Sequence, residues 1–148
     1  MSKYEVVEKF VSINGEGTKA GQLAVFIRFK GCNLNCKYCD TKWANEQETP
    51  SQPMTEKEIL DYVLSTGVKN VTLTGGEPLL REGIENVITV LAENNLNIEI
   101  ETNGSVYLDK IRKLHKENVT FTMDYKLSCS GMEAAMNLDN FNILSSND

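Results

Sequence analysis

The sequence predicts an α/β domain, a partial (β/α) barrel with mostly parallel strands, on three observations. Short β-branched and aromatic runs alternate along the chain with segments of helical apolar spacing. Several connections are ten residues or longer, which suits parallel pairing through crossovers rather than hairpins. A chain of 148 residues, 41% hydrophobic and 24% charged, builds one continuous core and hence one domain, residues 1–148.

The elements follow in order. Tyr4–Ile13 (YEVVEKFVSI) reads as a strand, and Gly15, Glu16, Gly17 and Gly21 mark a turn after it. Residues 23–30 form a second strand, with Val25, Ile27 and Phe29 on one face and Phe26 and Arg28 on the other. Residues 31–53 are a long loop, a length that compact domains usually reserve for function. Thr55 and Glu58 make a capping box, opening a helix that carries Ile59, Leu60, Val63 and Leu64 and stops at Gly67. A strand over 70–73 runs into Thr74-Gly75-Gly76-Glu77-Pro78, and a helix over 81–93 buries Ile84, Val87, Ile88 and Leu91. Strand 98–101, helix 108–115 and strand 120–125 complete the alternation, with a short helix over 133–144 inside a loose tail, 130–148. Ligands of such sheets gather at the carboxyl ends of the strands. The cysteine loop, Thr74 to Pro78, Glu101 to Gly104 and Asp124 to Lys126 all fall there.

Composition excludes some functions. The net charge is -6 with no basic block, so an electrostatic grip on nucleic acid is not expected. No apolar signal region opens the chain and no apolar run reaches spanning length, so no membrane role is expected and the cytoplasm is the expected compartment. Disulfides are rare there, and clustered cysteines mean metal or catalysis.

Three of the four cysteines form Cys32-x3-Cys36-x2-Cys39, with Tyr38 before the last. Three thiolates on one loop can each hold one iron of a cubane cluster and leave the fourth iron open to a chelating ligand. The competing reading is a structural zinc site, which wants four ligands; His115 lies on a distant helix, and Cys129 stands far along the chain between serines. Cys129 reads as an incidental thiol.

This pattern resembles the radical S-adenosylmethionine superfamily. The resemblance implies a [4Fe–4S] cluster on Cys32, Cys36 and Cys39, and S-adenosylmethionine chelated to the open iron and cleaved to a 5′-deoxyadenosyl radical, so that the cofactor rather than a side chain does the chemistry. Tyr38, Cys39 and Asp40 would border the cofactor. Gly75, Gly76 and Glu77 match the superfamily's GGE motif, where bare backbone and a carboxylate receive the methionine ammonium. Without the cysteines, the glycine pair would read as a plain strand-to-helix turn.

Four further segments, Ser12 to Gly17, Arg28 to Cys32, Cys39-Asp40-Thr41 and Glu101 to Gly104, together resemble the 7-carboxy-7-deazaguanine synthase family, of the short clostridial type, over about residues 3–140. That family converts 6-carboxy-5,6,7,8-tetrahydropterin to 7-carboxy-7-deazaguanine with release of ammonia, in queuosine biosynthesis. The resemblance implies that Ile13, Asn14, Gly15 and Thr74 line the pterin and that Arg28 forks its carboxylate. Thr41 would bind Mg²⁺. Glu101 and Asn103 would bond the ribose, with Lys126 near the S-adenosylmethionine carboxylate and Asp124 a further cofactor-binding position. Arg28 as an exposed strand residue, and Asn103-Gly104 as a turn, stay open beside these roles. An electron donor such as flavodoxin and a homodimer are implied as well. Family members continue for several tens of residues beyond position 148, so a last strand is expected to be missing and the fifth strand's edge open. Two other classes are an activase for glycyl-radical enzymes and an inactive iron–sulfur remnant.

Overall fold

The computed structural model describes residues 2–114 and 117–148. Strands β1 (Tyr4–Ile13), β2 (Leu23–Phe29), β3 (Gln52–Met54), β4 (Asn70–Gly75), β5 (Asn97–Thr102) and β6 (Val119–Met123) form one sheet in the order β3-β1-β2-β4-β5-β6. The pairs β2–β4, β4–β5 and β5–β6 are parallel, whereas β1 is antiparallel to both β2 and β3. Helices α1 (Glu56–Thr66), α2 (Ile84–Glu93) and α3 (Asp109–Leu114) provide the crossovers. Among the described residues, no helix is long and apolar enough to cross a membrane.

Strand alternation divides the sheet into two unlike faces. Val25, Ile27, Phe29, Val71, Leu73, Ile98, Ile100, Val119 and Phe121 all join one buried apolar cluster with Ile59 and Val63 of α1, Ile84, Val87, Ile88 and Leu91 of α2, and Ile111 of α3. The alternate positions carry Phe26, Arg28, Thr72, Thr74, Glu99, Glu101, Thr120 and Thr122. That second face is polar, and it faces the loops rather than the helices.

Several sequence expectations shift. β3 is an extra strand inside the supposed loop 31–53; its proline is tolerable because the strand lies at the sheet edge. Thr55 and Glu58 do form the capping box, with Thr55 N–H donating to the Glu58 carboxylate at 2.7 Å. α2 starts at Ile84, because Pro78–Leu80 makes a separate 3-10 turn capped by the Glu77 carboxylate. The end of helix 108–115, with His115, lies outside the described residues.

The tail departs most. Instead of one helix over 133–144 there are two 3-10 turns, Glu133–Ala135 and Leu138–Asn142. Asparagines explain this, since their amides compete with helical hydrogen bonds. Asn137 accepts from the Asp139 N–H, and Asn140, wholly buried, accepts from Leu108 N–H at 3.0 Å and donates to the carbonyls of Gly104 and Val106. The segment expected to be loose is therefore bound to the loop after β5. As expected, β6 stands at the edge of the sheet with no further strand beside it among the described residues, and Asp148 reaches that edge: its carboxylate accepts the Phe121 N–H at 2.8 Å and pairs with Arg112, which stacks on the Phe121 ring at 4.7 Å.

Burial pushes the Asp148 carboxyl upward, but Arg112 and the N–H groups of Ser145 and Phe121 outweigh it and hold it below the usual range. A carboxyl lowered by folding stabilises above its unfolded value and loses that contribution as pH falls through the folded one. Asp148→Ala is expected to cost about 3 kcal/mol in urea unfolding at neutral pH, by leaving Arg112 without its partner. The variant should also lose less stability than the parent on acidification below about pH 4.

Candidate functional site

A cavity of about 490 Å³ opens on the polar face, at the carboxyl ends of β2, β4, β5 and β6. Cys32, Cys36 and Cys39 all line it, with Tyr38, Asp40 and Thr41 from the same loop. Arg28 arrives from β2, Thr74, Gly75 and Gly76 from β4, Glu101 and Asn103 from β5 and the loop after it, and Asp124 and Lys126 from the loop after β6. Parallel pairing puts these strand ends side by side; Arg28 stands opposite Thr74 in register.

The cysteine loop is fixed by backbone contacts. Gly76 N–H donates to the Phe29 carbonyl at 3.1 Å and Glu77 N–H to the Gly31 carbonyl at 3.0 Å. A Cβ on Gly76 would overlap the Gly31 carbonyl, so only glycine lets the loop pass this close. Lys37 N–H donates to the Ser130 carbonyl at 3.0 Å, and Cys39 N–H closes a turn on the Cys36 carbonyl. The Cys32 sulfur accepts from Leu34 N–H at 3.4 Å and from the Asn103 amide at 3.5 Å. Asn103 thus faces the sulfur it was not expected to touch. Cys129 is exposed and off the cavity. Among the described residues, no group of three or more histidine, cysteine, aspartate and glutamate side chains is set to hold a single metal ion.

Four expected site residues lie elsewhere. Glu77 does not line the cavity: it is fully buried, and its carboxylate accepts from Leu79 N–H at 3.1 Å, the Thr102 hydroxyl at 3.0 Å and Asn103 N–H at 2.7 Å. Burial pushes its carboxyl up, against those donors and the charge of Lys126. It joins the β4 loop to the end of β5, and has no oxygen left over for an ammonium group. Ile13 is 65% exposed, on the surface beside Leu23. The Asn14 amide turns inward onto Glu99, and Gly15 lies off the cavity.

Sequence reading missed Glu16, Phe26, Leu34, Asn45, Thr102 and Thr122, which also line the cavity. Phe26 and Thr122 were available from strand alternation; Asn45 carried no signal. Among the described residues its side-chain oxygen is buried with no donor, and it abuts Gly76. Electrostatically, the pocket mixes signs. Arg28 donates through Nε to Glu8 at 3.0 Å, leaving its terminal nitrogens for another acceptor. Glu101 is pushed up mainly by burial and further by Glu16 and Glu99, against the Thr74 hydroxyl and Arg28. Lys126 pairs with Asp124 and feels the Cys36 thiol, which together hold its charge despite burial.

A model of the radical SAM superfamily matches residues 26–126, the stretch that contributes most of this cavity. The chain belongs to the radical SAM superfamily. Among relatives of this radical SAM chain, the 7-carboxy-7-deazaguanine synthase of Clostridium acetobutylicum is 61% identical over 98% of the chain, which spans 66% of that protein. The enzyme of the same name from Rhodopirellula baltica is 44% identical over 68% of the chain and 39% of its own length. The crystal structure of QueE from Escherichia coli superposes with a TM-score of 0.71 at 25% identity, covering 84% of this chain and 60% of that one. The chain thus spans two thirds or less of the length of each.

If Glu77 is a structural tie rather than a cofactor ligand, Glu77→Gln should destabilise the cluster-free protein. The new amide nitrogen would face an N–H, and about 1–3 kcal/mol is expected to be lost in urea unfolding without S-adenosylmethionine. Unchanged stability there would return Glu77 to the cofactor.

Proposed function

We propose that this chain carries the catalytic core of a 7-carboxy-7-deazaguanine synthase. It would convert 6-carboxy-5,6,7,8-tetrahydropterin to 7-carboxy-7-deazaguanine with release of ammonia, a step toward queuosine. One observation carries the reading: the three cysteines, Arg28 and Thr41, which the resemblance to this family singles out together, line a single cavity. The identity with the clostridial enzyme, 61%, supports it.

The residues present fit the implied groups. Three thiols on one loop, hydrogen-bonded at Cys32 and set near the Lys126 cation, suit a cluster held at three corners. The unpartnered Asn45 oxygen beside Gly76 is an acceptor in want of a donor, as an ammonium of S-adenosylmethionine would provide. Bound together, the cluster and S-adenosylmethionine supply one-electron cleavage of a carbon–sulfur bond. The protein's residues bind, orient and keep out water. Tyr38 would border the adenosyl part, and Lys126 and Asp124, which line the same cavity, would serve the cofactor carboxylate. Arg28 offers its free fork to the substrate carboxylate, between Thr74 and Glu101. The Thr41 hydroxyl donates to Asp40 at 2.6 Å, and these two oxygens would suit a hard Mg²⁺ ion.

The partners belong to the same reading. Ile13 and Leu23, paired across β1 and β2 and both exposed, offer an apolar patch for a homodimer. A flavodoxin-type donor in the cytoplasm would deliver the electron.

Anaerobic reconstitution with iron, sulfide, dithionite, S-adenosylmethionine and the pterin, followed by mass analysis, tests the function. The deazaguanine acid and 5′-deoxyadenosine are both expected. Deoxyadenosine without a pterin product would favour a glycyl-radical activase instead, and a cluster without cleavage an inactive remnant. Cys36→Ala should abolish S-adenosylmethionine cleavage. Arg28→Ala should lower pterin turnover at least about ten-fold while sparing uncoupled cleavage, since a charged hydrogen-bond partner is worth about 1.5–3 kcal/mol. Equal loss of both activities would make Arg28 structural.

A further inference from the structure

Glu99 lies under the cavity, mid-strand in β5 and 3% exposed, and none of the roles above involves it. A buried carboxylate is costly unless its oxygens are occupied. Both are. One accepts from the Asn14 amide and the other from the Thr122 hydroxyl, while Thr72 donates to the Asn14 side-chain oxygen at 3.4 Å. Asn14 also closes the neck of the turn after β1: its N–H donates to the Gln22 carbonyl and its carbonyl accepts from Gly21 N–H, both at 2.8 Å. Three residues on, Gly17 presses directly onto the same carboxylate. Its φ is +70°, and a Cβ there would overlap Glu99 and Thr122. Glu99 therefore touches the turn at both ends of a four-residue span. Of that span, Glu16 lines the cavity, and its charge reaches Glu101.

We infer that Glu99 is a positioning residue for the substrate side of the cavity, clasping the 14–17 turn to the sheet at Asn14 and Gly17 and so holding Glu16 in the wall. The cofactor side has separate ties. Glu77 fixes the loops after β4 and β5, Gly76 and Ser130 fix the cysteine loop, and none of them contacts Glu99. Loss of the clasp should therefore fall on the substrate and spare the cofactor. The inference rests on the function proposed above.

The test uses the reconstituted full chain with Glu99→Leu, Glu99→Gln and Gly17→Ala. Glu99→Leu should raise KM for the carboxytetrahydropterin at least about ten-fold, as expected for lost hydrogen bonds to a charged group. Its Kd for S-adenosylmethionine should stay within about two-fold. Glu99→Gln should restore KM, because its amide oxygen can accept from Asn14 and its nitrogen can donate to Thr122. Gly17→Ala, which attacks the clasp from the turn and leaves Glu99 in place, should behave like Glu99→Leu and carries the test if Glu99→Leu does not fold. An unchanged KM in Glu99→Leu or Gly17→Ala overturns the inference, as does an equal loss of affinity for cofactor and substrate. If the parent protein binds S-adenosylmethionine but does not turn over the pterin, the proposed function fails, and hydrogen exchange still judges the clasp. The Asn14 and Gly21 amides should exchange faster in Glu99→Leu than in the parent, and equal rates overturn the clasp.

Discussion

The two-sided alternation of four adjacent strands governs the rest of the structure. On β2, β4, β5 and β6 the alternate residues from Val25 to Phe29, Val71 to Leu73, Ile98 to Ile100 and Val119 to Phe121 are apolar and enter the cluster under the helices. That burial, worth about 25 cal/mol per Å² of apolar surface, is what fixes the register. Once it is fixed, the intervening residues have no freedom. Arg28, Thr74, Glu101 and Thr122 must rise on the other face, where no helix covers them. A slip of one residue would bury Arg28 and Glu101 among leucines and isoleucines, and the cavity would cease to exist. The polar pocket is thus a consequence of the apolar core, read from its reverse side.

A sheet face lined by threonines and carboxylates must still satisfy them, and the molecule does so with short ties rather than a second layer of helices. Glu77 is one such tie and Asn140 another. Each is wholly buried, and each bonds backbone groups of a loop that has no regular structure of its own. Asn103 extends the chain of ties to the cysteine loop, reaching both Asn33 and the Cys32 sulfur. The loops can therefore be long and irregular at their tips yet firmly set where they meet the strands. Rigid anchorage of this kind is what a site needs if a bound cofactor is to meet a substrate in one geometry.

How much of this was legible in the sequence depended on the scale of the signal. Strands and helices with clear period were legible: β1, β2 and α1 fall within a residue of expectation, because burial and a capping box specify them locally. The cavity residues on strands were legible once the alternation was known, as Arg28 and Thr74 show. What escaped was set by tertiary contact. Nothing in Gln52-Pro53-Met54 announces a strand until β1 offers it an edge. Glu77 matched a motif by position, but its carboxylate is claimed by Thr102 and Asn103, 25 and 26 residues away. Asn14 was expected to face the substrate and instead faces Glu99, 85 residues on. Long-range hydrogen bonds decide such side chains, and local pattern has no access to them.

These misses share a direction, and it bears on how the cavity divides. For Glu77 and Asn14, a polar group expected at the ligand is instead bonded to the scaffold of the cavity. Glu77 ties the loop after β4 to the end of β5, and Asn14 ties the turn after β1 to mid-β5. The cavity lining includes the three thiols, bare backbone at Gly75 and Gly76, and Arg28, whose terminal nitrogens have no acceptor among the described residues. Such groups need no repacking when a ligand arrives, because their supports are already fully bonded. Preorganisation of that kind reduces the ordering cost of binding. The same logic explains why two carboxylates, Glu77 and Glu99, are buried here without a salt-bridge partner among the described residues. An acceptor with two oxygens can join two segments at once, which a neutral hydroxyl does less well, and that joining offsets part of the desolvation cost.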